Sequence, residues 1–408
     1  MSNNTPICIV EDDGWQTLLP LTWLHSPVEF LFGANTILHR IQRAFPDRDI
    51  VFNGRPWIAP VMEERYGLVP PQPDSRVLFI NARLMDVELV RDATLHIDGD
   101  FALWNSNTFI AARCMVSHQN MNSELLLRDI REMKIPGVDS EARTIDRWWD
   151  AIYRQAEFLD RDSIIFAQNR DEFECPDIPG FMLQKESIFI SDSASIDPGA
   201  VIDARNGPVI IDHEAHVGSG AVLVGPMYVG PHCLIKPLAH IGPEVSLGPF
   251  SKVGGEVARS IFLGYANKQH DGFLGHAYIS NWVNLGAGTT NSNLKNTYGH
   301  VQVWVRDGLE DSGKTFVGCV IGDHSKTAIG TTLNTGTVIG ISCNVFEHGF
   351  PPKFVPSFSW GNSGIYDLEK ALSTAEQIML RRNRELTPKE RELMKTVWGM
   401  GRGRPEYS

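Results

Sequence analysis

The sequence predicts an α/β domain, then a hexapeptide β-helix, then a short helical tail. Three observations carry this. From Ile190 an aliphatic residue returns every sixth position: Ile190, Ile196 and Ile202, then, after a slip at Arg205-Asn206-Gly207, Ile211, Val217, Leu223, Val229, Ile235, Ile241, Leu247 and Val253. A helix needs a period near 3.6 and an ordinary strand a period of 2, so a period of six signals stacked hexapeptide coils. Before this stretch, short buried-strand patterns alternate with helical ones; after it, a proline-rich break leads into helical spacing.

Each element follows from local chemistry. Pro6–Val10 is a short apolar strand running into the polar turn Glu11-Asp12-Asp13-Gly14. Ala34–Phe45 has helical spacing at Ile37, Leu38, Ile41 and Phe45, and Arg76–Ile80 is a second buried strand ending at Asn81-Ala82-Arg83. Polar residues just past the carboxyl ends of parallel strands are where open α/β sheets bind ligands. Ile145–Leu159 reads as a helix packing this domain onto the next, and 160–187 reads as a connector with a Pro/Gly break at Cys175–Gly180. These patterns divide the chain into 1–180, 181–356 and 357–408.

In the coils, the aliphatic residue points inward, and small residues such as Ala200, Ala215, Ala221 and Ala239 sit two positions earlier, where the corner is tight. No coil buries its inner face alone, so coils stack. The period breaks after Val257, and 258–275 reads as a surface excursion, a place where function tends to sit. It resumes at Ile279 and Leu285, gives a second excursion over 291–315, and returns at Ile321 with Thr327 in the one polar slot. Phe350–Pro356 ends the solenoid. Asp367–Arg382 is helical, and Thr387 caps a second helix with Pro388 in its first position.

Bulk properties narrow the class. The chain has 408 residues, 42% hydrophobic and 21% charged, and a net charge of −12, which argues against nucleic acid as a partner. No run approaches the ~18 apolar residues of a membrane span, and the first residues lack a signal-peptide pattern, so the expectation is a cytoplasmic protein. The six scattered cysteines form no C-x-x-C pair and read as reduced thiols.

The segments VEDDGW, LLPLT, SPVEFLFG, INARL and RWWDAI in the first domain resemble the sugar-nucleotidyltransferase domain of a bacterial bifunctional family. That family is UDP-N-acetylglucosamine diphosphorylase/glucosamine-1-phosphate N-acetyltransferase, in its alternative form. Asn267-Lys268-Gln269-His270, Phe273-Leu274-Gly275 and Asn284–Thr289 resemble its acetyltransferase half. The resemblance implies a left-handed β-helix and a homotrimer with sites between subunits. It implies acetyl-CoA as acyl donor, sugar phosphate and UTP or UDP-sugar as partners, and Mg²⁺ for nucleotidyl transfer.

By position it assigns His270, Glu256 and Asn293 to catalysis, and Lys268, Arg259, Phe273 and Asn284 to the substrate. Gly318, Cys319 and Thr335 go to the cofactor, and Asp12, Asp13, Asn81 and Arg83 to the nucleotide, with Asp12 and Asp13 as Mg²⁺ ligands. Departures are visible: Ser26 and Phe32 stand where arginines are expected, leaving Arg83, Arg40 and Arg55 for phosphate. Phe273 replaces a tyrosine, Gly242 a sugar-phosphate arginine and Cys319 a serine.

The residues agree with that chemistry. Transfer of an acyl group from a thioester to a sugar amine needs a proton acceptor, and histidine is the usual choice near neutral pH. Two other classes compete: a catalytically silent sugar-nucleotide scaffold, and a zinc β-helix carbonic anhydrase, which needs three histidine ligands.

Overall fold

The computed structural model describes residues 5–401 apart from 73–74, 116–122, 134, 170, 175–180, 307 and 363. The expected Pro/Gly break at 175–180 therefore lies outside the described residues. In the first domain a six-stranded sheet has the order Ile50–Asn53, Ile7–Val10, Arg76–Asn81, Thr108–Met115, Phe101–Asn105, Gly137–Asp139. The first three strands run parallel. Alternation sorts their side chains: Ile7, Ile9, Leu78 and Ile80 enter the large core shared with the rest of the chain, while Cys8, Val10, Val77 and Phe79 enter a smaller one on the other face.

The hexapeptide coils form a three-faced parallel solenoid. Each inward aliphatic pairs with its equivalent one coil on: Ile211 with Val229, Val217 with Ile235, Leu223 with Ile241. The first face runs from Ile188–Ser191 to Phe354–Val355, the second from Ser195–Ile196 to Ser359–Trp360, and the third from Phe181–Leu183 to Phe273–Gly275.

Two expectations about the solenoid are corrected. Residues 258–275 are not a thrown-out loop, because Ile261–Phe262 and Asn267–Lys268 are coil strands paired on both sides and Phe273–Gly275 is paired to Glu256–Ala258. Shorter corners hide them from a period-six reading: Val257 follows Val253 after four residues and Phe262 follows Val257 after five. The solenoid also continues past Pro356, since Trp360 pairs with Asn344. The second excursion is real and carries an antiparallel hairpin, Gln302–Val305 with Gly308–Asp311.

The stretch Ile145–Leu159 is two helices, Trp148–Tyr153 and Gln155–Gln168, so the segment read as a connector begins helical. They clamp the first domain onto the first face of the solenoid. The outward residues there are Phe189, Ile210, Tyr228, Ser246, Ile261, Tyr278, Val320 and Val338, apolar except for Ser246. Ser246 Oγ accepts from Gln155 Nε2 at 2.6 Å and donates to the Gly33 carbonyl, so this buried hydroxyl is satisfied across the junction. Tyr278 donates to the Leu31 carbonyl at 3.0 Å.

The tail helices Leu368–Leu380 and Pro388–Gly401 form as expected, with caps from Asp367 and Thr387. First domain, solenoid and tail meet at buried His25, whose Nε2 lies 2.8 Å from Asp323 and whose Nδ1 lies 3.3 Å from Glu29. Arg65 joins Glu29 to Glu390 of the last helix. Burial alone would lower the His25 pKa, but the Asp323 and Glu29 carboxylates outweigh it and raise it to about 9.

A raised histidine stabilises fully below its unfolded value near 6.5, and that contribution is lost as pH climbs through about 9. Lys268 and Lys326, lowered to about 8 by burial, act in the opposite sense over the same range. The expected result is therefore read as a difference. The gap in Tm between wild type and His25→Gln should shrink from pH 7 to pH 10 in thermal melts, and a constant gap would show that His25 is uncharged.

Candidate functional site

Four of the ten expected acyl-transfer residues, His270, Glu256, Phe273 and Asn284, lie along one ridge, where the second face turns into the third. His270 stands exposed on that corner, directly after the strand Asn267–Lys268. On the second-face side the outward row is Lys252, Asn267, Asn284, each paired with the next. On the third-face side it is His240, Glu256, Phe273. Glu256 and Asn284 are exposed and Phe273 is half-buried, so the ridge offers a base, a carboxylate, an amide and an aromatic face to solvent.

Lys268 is not among them. It occupies an inward slot, 2% exposed, and its Nζ donates to the carbonyls of Gly254 at 3.0 Å and His270 at 2.6 Å. Its role is to pin the corner that presents His270, and the expected contact with substrate is corrected. Thr327 is also not the one polar inward residue: Lys268 and Asn291 share that position on their own coils. The Asn291 side chain accepts from the Gly275 N–H at 2.8 Å and donates to the Gly275 carbonyl at 2.9 Å.

Two more assigned residues lie elsewhere. Asn293 donates to Nδ1 of buried His276 at 2.9 Å, at the far end of the strand Phe273–Gly275 from His270. Arg259 sits at the same far corner, paired with Glu244 at 3.3 Å. Burial and the Arg259 charge hold His276 at about 4, so it is neutral. The three residues assigned to the cofactor are interior. A Cβ on Gly318 would lie 2.0 Å from the Gly275 carbonyl oxygen; Cys319 is wholly buried, its thiol pushed up to about 12 by burial; Thr335 is 2% exposed. These three do not form a cofactor surface.

In the first domain, Asp12, Asn81 and Arg83 do come together past the carboxyl ends of the central strands. Both Asp12 oxygens are taken: Oδ1 accepts from Arg83 Nε at 2.7 Å, and Oδ2 accepts from Arg83 Nη2 at 2.6 Å and Asn81 Nδ2 at 2.8 Å. Burial would raise the Asp12 pKa, but Arg83 and Asn81 hold it below the usual carboxylate range. A guanidinium thus fills the place where Mg²⁺ would bind Asp12. Asp13 is exposed, and no group of three His, Cys, Asp or Glu suited to a metal occurs among the described residues. The expected Asp12/Asp13 pair does not fit the ion.

Arg40 and Arg55 are structural as well. Arg40 is bidentate to Asp162 and donates to the Phe32 carbonyl; Arg55 is bidentate to Glu11 and donates to the Thr22 and His25 carbonyls. Neither is free for phosphate. The solenoid hairpin reaches over this cleft: Glu310 accepts two bonds from Arg147 at 2.8 Å each, and Arg306 donates to the Asp13 carbonyl at 3.3 Å. The cleft is about 510 Å³ and lined by Asp146, Asp150 and Glu310 together with Arg83 and Arg147, which pair with Asp146 and Glu310.

Residues 7–171 match the sugar nucleotidyl transferase family model. The chain is 32% identical, over 146 residues, to the bifunctional sugar-1-phosphate nucleotidylyltransferase/acetyltransferase of Sulfurisphaera tokodaii. That alignment covers 34% of this chain and 35%, about a third, of the relative. Among solved structures, WeeI from Acinetobacter baumannii AYE aligns over 64% of this chain and 90% of its own, at 13% identity and a TM-score of 0.15. Residues 7–171 are thus similar to sugar nucleotidyl transferases, and in this chain a parallel solenoid follows them.

Proposed function

We propose that the chain is a cytoplasmic, acetyl-CoA-dependent N-acetyltransferase acting on a hexosamine 1-phosphate, with His270 as general base. The observation that carries this reading is the exposed ridge with His270 at its crest and Glu256 and Asn284 in the outward rows on either side. The sugar amine attacks the thioester carbonyl, its proton passes to the imidazole, and the C–S bond breaks to release the thiol. The ridge is open in one chain, which supports a homotrimer whose neighbour closes over it.

A second reading applies to the first domain alone. Asp12 is neutralised by Arg83, Arg40 and Arg55 are buried in ion pairs, and a hairpin covers the cleft. These observations favour a domain that holds a sugar nucleotide without turning it over. Separate assays distinguish the two. Thiol release from acetyl-CoA with glucosamine 1-phosphate is expected, while pyrophosphate release from UTP with N-acetylglucosamine 1-phosphate is expected to stay at background. The reverse outcome would overturn both readings.

A further inference from the structure

One cluster of charge on this acidic protein has no counter-charge. Lys252 sits in the outward row of the second face, beside Asn267 and one coil before Asn284. Lys236 occupies the next corner, its stem lying along Gly254, where a Cβ would meet the Lys236 Cβ at 3.0 Å. The end of the first tail helix crosses this face and adds Arg381 and Arg382. Arg382 Nη2 donates to Asn267 Oδ1 at 2.9 Å, while its inward-turned Nε–H finds no acceptor. Burial, then Arg382, Lys236 and Arg381, lowers the Lys252 pKa, and no acidic group enters that environment. Arg382 is likewise lowered by burial and by Arg381.

Among the described residues none of these four cations forms an ion pair, although acidic side chains outnumber Lys and Arg by 49 to 37. Elsewhere most partly buried arginines find a carboxylate, as Arg40, Arg55, Arg65, Arg83 and Arg143 do. Four like charges converging without an acid repel one another, and a dianion placed among them removes that cost. An ammonium beside a guanidinium is a combination that binds phosphoryl oxygens. Of the two solenoid cations assigned to the substrate, Lys268 is buried in a corner and Arg259 lies at the far corner, paired with Glu244.

We propose that Lys252 and Arg382, supported by Lys236 and Arg381, form a phosphomonoester site that the tail helix completes on the second face, next to Asn267, Asn284 and the His270 ridge. The site rests on the acyl-transfer reading only for the identity of its occupant, since the phosphate is that of the acceptor sugar or of the acyl donor. The row places it within two coils of Asn284, roughly 10 Å at the usual strand spacing.

Calorimetric titration of the full chain with glucosamine 1-phosphate, coenzyme A and glucosamine tests it, using Lys252→Gln and Arg382→Gln separately. Each variant is expected to weaken binding of one of the two phosphorylated ligands by about tenfold or more, and raising the salt should weaken wild-type binding in parallel. Whichever ligand loses affinity is the occupant, while glucosamine should respond to neither substitution. Unchanged affinity for both phosphorylated ligands in both variants, with unfolding curves like wild type, would overturn the site. Loss of phosphate affinity in a protein without acetyl transfer would keep the site and overturn the reaction. Acetyl transfer with unchanged KM in both variants would keep the reaction and overturn the site.

Discussion

Replacing His270 with alanine is expected to cut acetyl transfer by about 10²–10⁴-fold, the range associated with loss of a general base. The fold supports a large effect with little structural damage. The side chain is exposed, and it is the backbone carbonyl of His270 that anchors Lys268, so the corner survives the substitution. The loss should fall on kcat, because a proton acceptor acts in the transition state rather than in binding. His213→Ala makes the control: His213 is exposed and paired with its neighbour Asp212, on a distant coil. Thiol release measured on both variants decides the matter. If His270→Ala retains wild-type kcat, another group on the ridge is the base, and Glu256 becomes the residue to replace.

Arg40→Ala is expected to destabilise the chain by about 3–5 kcal/mol, the cost of leaving a buried carboxylate without its partner. Arg40 and Asp162 are each 1% exposed, and their bidentate pair joins the helix Ile37–Ala44 to the helix Gln155–Gln168. Asp162 also accepts from the Ala34 N–H at 2.8 Å and has the half-exposed Arg43 guanidinium 3.8 Å away, a longer contact that replaces only part of what Arg40 supplies. Urea unfolding gives the difference directly, and Arg40→Met with Asp162→Leu should recover most of it, because no lone charge then remains buried. A stable Arg40→Ala that instead loses affinity for UTP would restore Arg40 as a phosphate ligand.

Several errors of the sequence reading share one cause. Period six finds a coil only where all three corners keep their full length, so the shortened corners after Val253 made coil strands look like a surface loop. Lys268 was drawn into the substrate list with them, although at its place in the stack the side chain can only point inward. A signal for the docked face was nevertheless present: the residue before each inward aliphatic is apolar there apart from Ser246, as at Phe189, Ile210 and Tyr228, and polar on the second face apart from Leu234, as at His216, Lys252 and Asn284.

By itself the sequence determined the solenoid, its strand-by-strand register over the regular coils, the α/β character of the first domain and the cap of the last helix. All of these depend on spacing and local backbone preference, which neighbours in the chain settle among themselves. Only the tertiary structure decided which carboxylate each arginine takes, that Asp12 faces Arg83 rather than a cation, and that the tail helix brings Arg382 beside Lys252. Those pairings join residues far apart in sequence, and charge acts through space without regard to chain order, so no local pattern records them.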